Sequence, residues 1–237
     1  QALGGLMSAT GEPDGQPVKT GVALSDVMTG LYATIGILAA LHHRDKTGRG
    51  QMIDLSLLDC TVAGMVNIAQ YYLTSGKPAP RLGNAHSTIV PYQAFASADG
   101  HVIVAVGNDG QFRRFCDHVG KPEWADDKRF ATNPARVMHR DILVPIIEDI
   151  LLQQKTAYWV DLFREADVPV APVNTMNQVF AMDQIQTREM KISMPHPLSS
   201  LPIDLVGSPL KLSDTPVSYR LAPPPCGQDT DDVLKKI

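Results

Sequence analysis

Residues 20–51 read TGVALSDVMTGLYATIGILAALHHRDKTGRGQ, and this stretch decides how the rest of the chain is interpreted. Residues 27–41 carry no charge, yet this run is shorter than the ~20 residues that cross a bilayer. Leu31, Ile35 and Leu38 recur at helical spacing, and small residues fill the other faces. The stretch therefore predicts a buried core helix that begins near Ser25 and is stopped by Gly48.

The start of this helix carries an acidic residue, Asp26. Ser25 and Asp26 both belong to the residue types preferred as helix N-caps. The helix dipole favours the ionised form of Asp26, and such a carboxylate can cap the helix, bind a cation or act as a nucleophile. Spacing alone favours the capping role. Asp59, in a second apolar helix predicted over residues 56–73, is interpreted as a paired carboxylate at a helix contact.

Composition excludes several classes of protein. The chain has 237 residues, of which 44% are hydrophobic and 19% charged, so a folded core is expected and disorder is excluded. Its formal net charge of −4 gives no basic surface for nucleic acid. Three widely spaced cysteines (Cys60, Cys116 and Cys226) form neither a disulfide framework nor a metal-ligand motif, which favours a reducing cytosol.

Beyond residue 73 the pattern changes from apolar helices to mixed helices and strands. Residues 75–86 read as a linker that ends in a loop, and His86 is a site candidate because such loops carry binding groups. Strands at 88–96 and 101–106 surround a turn at 98–100 and predict a hairpin. Helices are predicted near 109–119, 136–153, 156–166 and 176–182 and from 229, with extended segments at 168–173, 190–194 and 203–206. Pro145 predicts a kink or break in the second of these helices. The result is an α/β chain in at least two parts.

An ordered set of short motifs resembles the family III CoA-transferases, the carnitine-CoA and formyl-CoA transferase group. Residues 20–51 carry the longest part of this resemblance. The further matches are Gly83-Asn84, residues 89–95, 98–100 and 107–109, Arg136 with Arg140, and residues 168–173, 207–209, 222–224 and 227–228. No single motif is decisive, but their order along the whole chain is specific.

The resemblance implies a fold and a domain organisation. The expected fold is α/β: the remaining part of a Rossmann-like large domain plus a smaller α+β domain, of the interlocked-dimer CoA-transferase type. Residues 1–75 correspond to a large-domain segment with the nucleophile helix, 76–87 to a linker and loop, 88–185 to the small domain, and 186–237 to a return into the large domain. Nothing matches the family's N-terminal Rossmann-like half, so the sequence resembles the C-terminal part of a larger polypeptide.

The resemblance also implies a reaction and its site. Family members move CoA between an acyl-CoA thioester and a carboxylic acid, and the 86–95 stretch is most similar to those that handle dicarboxylic acids such as succinate or glutarate. The aspartate matching Asp26 is their nucleophile, which replaces the capping role, and it passes through an aspartyl anhydride and an aspartyl-CoA thioester. Gly83, Asn84, His86 and Ser87 correspond to the loop that shields this intermediate and are expected to bind substrate.

Alternatives remain open at this point. An acyl-CoA racemase of the same family would use an aspartate and a histidine, and that histidine lies in the unmatched half. The chain could also be an inactive fragment, or a subunit that needs a separate N-terminal half. The remaining expectations are no cofactor (the CoA thioester is a substrate), no metal, no nucleic-acid or membrane partner, a cytoplasmic location and an interlocked homodimer at full length.

Overall fold

A computed structural model describes residues 1–236 as two compact units, a first unit Gln1–Pro172 and a second that starts at Val173. The helices of the first unit are α1 (Leu6–Ala9), α2 (Leu24–Thr47), α3 (Leu57–Gly64), α4 (Val66–Ser75), α5 (Asp109–His118), a 3-10 turn (Pro122–Ala125), α6 (Asn133–Met138), α7 (Arg140–Leu151) and α8 (Thr156–Glu165). Its strands are β1 (Tyr92–Ser97), β2 (Gly100–Ala105) and β3 (Val170–Pro172).

The three strands form one antiparallel sheet in the order β1-β2-β3, which confirms the predicted hairpin. Alternate residues of β2, Val102 and Val104, are fully buried and belong to one core cluster with residues of α5, α7 and α8. This alternation is the period-2 pattern of a strand with one face on a core. The largest buried apolar side chains of this core are Phe95, Phe112, Phe115, Phe130, Leu143, Ile147, Leu151 and Phe163.

The helix predicted over 136–153 is divided, but not at its proline. Helix α7 continues through Pro145, and the break lies at His139, between α6 and α7. Leu143, Ile147 and Leu151 are fully buried on one face of α7. Their packing into the core holds the helix together on both sides of the proline, so tertiary contacts outweigh the lost backbone hydrogen bond.

Helix α2 has the predicted extent, but it is not buried within this chain. Gly48 ends it in the left-handed conformation (φ 72°) with its N–H donating to the Arg44 carbonyl. Leu31, Ile35 and Leu38 are each about 60% exposed (61%, 62% and 61%). The prediction of a buried helix is therefore wrong for residues 1–236, because the neighbouring helices cover only part of its surface.

Length and composition make α2 a candidate to cross a membrane, and it is the one such helix in the part of the chain that the structure describes. Its 24 residues exceed the 15-residue uncharged run because the helix continues through Thr47. The core helix of a soluble protein passes the same test, so the feature is weak evidence. The expectation of no membrane partner stays a prediction.

The second predicted apolar helix is two helices. Helix α3 begins after Ser56, whose hydroxyl accepts from the Asp59 N–H, and ends before Met65. Val66, the first residue of α4, has a positive φ of 35°, which lies outside the α-helical region and separates α4 from α3. Nothing in the apolar pattern of residues 56–73 signals this break.

The second unit contains two short strands and three short helices. They are α9 (Met176–Ala181), α10 (Asp183–Thr187), β4 (Lys191–Met194), β5 (Ile203–Val206) and α11 (Thr230–Leu234). The strands lie where extended segments were predicted, and they pair antiparallel with Lys191 opposite Val206. Helix α9 has a capping box between Thr175 and Gln178. The division of a whole subunit into large and small domains stays a prediction.

Candidate active site

Asp26 lies in the first turn of α2 and does not cap it. The N-cap position is Ala23, and no side chain accepts a hydrogen bond from the first turn. The capping interpretation is therefore wrong, because the helix begins earlier than the N-cap preferences suggest. Asp26 is exposed, and no hydrogen bond or ion pair joins it to any of residues 1–236. A carboxylate without a protein partner is available to react with a substrate.

The hydroxyl of Ser25, the residue before Asp26, is buried rather than exposed. Ser25 is 7% exposed, and its Oγ is buried without a hydrogen-bond partner among residues 1–236. Such a hydroxyl loses its contacts with water and gains none in exchange. Ser25 thus contributes neither a cap nor a visible anchor for Asp26.

Asp59 provides an internal comparison for Asp26. It lies in the first turn of α3, and its side chain is also exposed and without an ion pair in the described residues. The expectation that Asp59 is paired at a helix contact is therefore wrong. Both helices begin with an exposed carboxylate, but the start of α3 is capped by Ser56 and the start of α2 has no side-chain cap.

The loop with the predicted substrate-binding residues, residues 82–87, is held at its N-terminal end by the first segment of the chain. The Gly83 N–H donates to the Gly11 carbonyl at 3.0 Å. Arg81 donates to the carbonyls of Glu12 (3.2 Å) and Gly15 (2.8 Å). Gly83 has a positive φ of 56°, and a Cβ there would come within 2.6 Å of the Glu12 carboxylate. The left-handed backbone therefore favours glycine at this position, and any other residue would also displace the Glu12 side chain.

The C-terminal end of the same loop is held by the hairpin and by α7. The His86 N–H donates to the Tyr92 carbonyl at 2.8 Å, and the two rings stack with centroids 5.1 Å apart. Arg140 Nη2 donates to the carbonyls of His86 (2.8 Å) and Ser87 (3.2 Å). Asn84 and Ser87 are exposed. Asn84 lies between the two anchored ends of the loop, and Ser87 directly follows His86. The structure thus brings Gly83, Asn84, His86 and Ser87 together in one anchored loop.

The residues after this loop are fixed by a buried network. Asn133 donates to the Thr88 carbonyl (2.8 Å) and accepts from the Val90 N–H (3.2 Å). Arg136 has a fully buried side chain that donates to the carbonyls of Val90 (2.6 Å) and Phe130 (2.9 Å).

The buried charge of Arg136 has one acidic partner, Asp109, at 2.9 Å. Burial lowers the pKa of the Arg136 guanidinium, whereas the hydrogen bond to Asp109 acts in the opposite direction. The guanidinium also lies 4.3 Å from the centre of the Phe112 ring. Removing Arg136 would leave the carbonyls of Val90 and Phe130 without this donor, so we assign it to the fold.

A cavity of about 670 Å³ lies beside the first anchor of the loop. Its walls are mostly apolar, and Asp26 is not one of its lining residues. The lining residues are Gly4, Gly5, Ser8, Ala9, Pro13, Val62, Met65, Ile68, Ala69, Tyr72, Pro78, Ala79, Pro80 and Arg81. No cluster of metal-ligating side chains occurs in the described residues.

Asp26 and the loop are not joined directly by hydrogen bonds within residues 1–236. The segment at the start of the chain is nevertheless hydrogen-bonded both to the loop and to residues that precede α2. Gln1 contacts Thr20 and Val22, just before α2, and Gly11 contacts Gly83.

The sequence reasoning gave no role to the polar side chains that hold this loop. No local pattern marks them, because the carbonyls of residues 86–90 that Asn133, Arg136 and Arg140 bind are distant in sequence.

Comparisons with known proteins agree on one family. The sequence profile of CoA-transferase family III matches residues 1–230. The chain is 42% identical to a succinate–glutarate CoA-transferase of Agrobacterium fabrum, and the match covers all of the chain and 59% of that protein. It is 39% identical to a human succinyl-CoA:glutarate CoA-transferase, covering 100% of the chain and 54% of that protein.

A solved structure supports the same relationship. A CaiB/BaiF family protein from Brucella suis superposes with a TM-score of 0.85 at 40% identity, covering the whole chain and 61% of that structure. The predicted α/β fold class is confirmed by this match. The chain spans little more than half the length of the curated relatives named above.

Proposed function

The chain belongs to CoA-transferase family III, and on that premise we propose that it forms part of an enzyme that moves CoA between an acyl-CoA thioester and a dicarboxylic acid. The observation that carries this proposal is the unpartnered carboxylate of Asp26 at the uncapped start of α2. The choice of a dicarboxylic acid is supported by the names of two relatives, which act on succinate or succinyl-CoA and glutarate.

The proposed chemistry uses Asp26 as nucleophile. Its carboxylate attacks the thioester carbonyl carbon of the donor, a C–O bond forms, the C–S bond breaks, and the CoA thiolate leaves. The thiolate then attacks Cγ of Asp26 in the resulting anhydride, which releases the donor acid and leaves an aspartyl-CoA thioester. The acceptor carboxylate attacks the same Cγ and expels the thiolate. The thiolate finally attacks the acyl carbon of the new anhydride and restores the Asp26 carboxylate.

Two features of the chain support these steps. The first turn of α2 has no side-chain cap, so its N–H groups and the helix dipole favour negative charge beside Asp26. The exposed loop 82–87 carries main-chain and side-chain donors that can stabilise the oxyanion of a tetrahedral intermediate. We expect water to be excluded by groups outside residues 1–236, since Asp26 is exposed here and an anhydride hydrolyses readily.

The remaining expectations are part of the same proposal. We propose an interlocked homodimer in the cytoplasm that uses neither a metal nor a cofactor, with the CoA thioester as a substrate. The support for these expectations is the resemblance to the family.

The test replaces the proposed nucleophile with its amide. Asp26→Asn in the whole natural protein is expected to lower turnover between succinyl-CoA and glutarate by at least ~10⁴-fold, because an amide cannot form the anhydride. The measurement is the initial rate of glutaryl-CoA formation, together with mass spectrometry of protein quenched during turnover. The CoA adduct is expected on the peptide that contains residue 26.

Asp59→Asn is the matched control, because Asp59 is also exposed in the first turn of an apolar helix. It is expected to retain the parent's turnover. Full activity of Asp26→Asn, or a CoA adduct on a different side chain, would overturn the assignment. Absence of transfer in the parent protein with any acyl-CoA and acid pair would overturn the proposed function itself.

A further inference from the structure

The loop at residues 82–87 contains no helix or strand, so main-chain hydrogen bonds and side chains from other elements hold its conformation. Three polar side chains from α6 and α7, at positions 133, 136 and 140, contact this loop or the residues that directly follow it. Asn133 holds the Thr88 carbonyl and Arg136 holds the Val90 carbonyl. Arg140 holds the carbonyls of both His86 and Ser87. We refer to Asn133, Arg136 and Arg140 as the donor row.

The members of the donor row differ in burial. Arg136 is fully buried and has an ion pair with Asp109, so it belongs to the core. Arg140 is half-buried and has no ion pair among residues 1–236. Its hydrogen bonds go to main-chain carbonyls of the candidate substrate loop. An arginine side chain whose hydrogen bonds go to loop carbonyls orients those peptides and adds little to the packing of the core.

The hydrogen bond from Arg140 to the His86 carbonyl also fixes the direction of the Ser87 N–H. In a planar trans peptide the C=O of one residue and the N–H of the next point in opposite directions. Because Arg140 holds the His86 carbonyl, the Ser87 N–H points away from Arg140. This N–H has no hydrogen-bond partner in the described residues, and Ser87 is exposed. An oriented, free N–H is the kind of donor that stabilises an oxyanion.

We propose that Arg140 is a positioning residue for the CoA transfer: it fixes the peptide between His86 and Ser87 so that the Ser87 N–H donates to the oxyanion formed on the reacting acyl group. This inference rests on the proposed function. Arg140 itself does not touch the substrate.

The experiment removes the guanidinium and keeps the length of the side chain. Arg140→Met in the whole natural protein is expected to lower kcat for succinyl-CoA and glutarate by ~10- to 100-fold, because a misplaced donor loses transition-state stabilisation. KM for the acyl-CoA is expected to change much less. Arg140→Lys is expected to recover most of kcat, since an ammonium can still donate to both carbonyls.

Arg114→Met is the matched control. Arg114 also donates to main-chain carbonyls, those of Ala166 (2.8 Å) and Asp167 (2.8 Å), but in a different part of the first unit. Its variant is expected to keep the parent's kcat. Hydrogen exchange provides a second readout: amides 83–88 are expected to exchange faster in Arg140→Met than in the parent and in Arg114→Met. If Arg140→Met does not fold, Arg140→Gln and Arg114→Gln replace the two methionine variants. Arg140→Gln is then expected to have the lower kcat and the faster exchange of amides 83–88.

The outcomes separate this inference from the proposed function. If the parent transfers CoA and Arg140→Met matches Arg114→Met in kcat, the positioning role is wrong and the proposed function stands. Equal loss of kcat in the lysine and methionine variants, with unchanged exchange of amides 83–88, also overturns the positioning role. If the parent transfers no CoA, both the proposed function and this inference fail.

Discussion

At the scale of single residues, two serines with the same exposed fraction differ in whether the side-chain hydroxyl has a hydrogen-bond partner. Ser25 and Ser97 are each 7% exposed, but Ser97 Oγ lies 2.7 Å from Thr156 Oγ1 and Ser25 Oγ has no partner in the described residues. Ser25→Ala is expected to leave the free energy of unfolding unchanged or raise it by up to about 1 kcal/mol, because no hydrogen bond is lost. The measurement is urea unfolding of the whole natural protein.

Ser97→Ala is the control for Ser25→Ala. It breaks a buried hydrogen bond and leaves the Thr156 hydroxyl unpaired, so it is expected to lower the free energy of unfolding by about 1 kcal/mol. Equal destabilisation by both substitutions would mean that Ser25 has a partner outside residues 1–236.

The sequence pointed to candidate site residues but not to the contacts that surround them. Asp26 and the loop residues were proposed because they lie in motifs that resemble those of a family. The capping interpretation failed, since a helix start is set by backbone hydrogen bonds that begin at Ala23 rather than by residue preference. The roles of Arg81 and Arg140 depend on contacts with carbonyls distant in sequence, which no local pattern encodes.

At the scale of elements, the end of α2 supports a prediction about its terminating glycines. Gly48 has a φ of 72°, whereas Gly50 does not have a positive φ, and a Cβ at either position would meet no atom within 4 Å. Gly48→Ala is therefore expected to lower the free energy of unfolding by about 1 kcal/mol through backbone strain alone. Gly50→Ala is the control and is expected to change it by less than about 0.5 kcal/mol. Thermal unfolding of both variants checks this, and equal effects would contradict it.

The apolar pattern predicted where elements lie more reliably than where they divide. The hairpin, α8, β3 and α9 lie close to their predicted positions, since alternation and helical period are local properties. The breaks at Met65 and His139 were missed, and the one expected at Pro145 does not occur. Each of these outcomes depends on packing against other elements, which outweighs local propensity.

At the scale of the whole molecule, the exposed surface of α2 determines how the chain behaves in solution. Its apolar side chains make a large patch of the kind that drives association. A polypeptide of residues 1–237 is expected to self-associate at micromolar concentration. The triple variant Leu31→Gln/Ile35→Gln/Leu38→Gln is expected to reduce this, as measured by light scattering after size-exclusion chromatography.

The control for the triple variant substitutes exposed leucines of the second unit, Leu198→Gln/Leu201→Gln/Leu221→Gln. It is expected to associate like the parent. A monomeric parent, or equal effects of the two triple variants, would contradict the assignment of the patch to α2. The sequence predicted a buried helix from its apolar side chains, whereas residues 1–236 leave those side chains exposed.

The donor row also determines how the loop can be redesigned. A saturation library that varies positions 84, 86 and 140 would sample different shapes of the loop while the segment after it stays fixed by Asn133 and Arg136. Variants at position 136 would be lost at expression, because the carbonyls of Val90 and Phe130 would lose their buried donor and the core would lose a fully buried side chain. Substitutions that are meant to change which acid the enzyme accepts should therefore be made at position 140 of the donor row and not at the buried position 136.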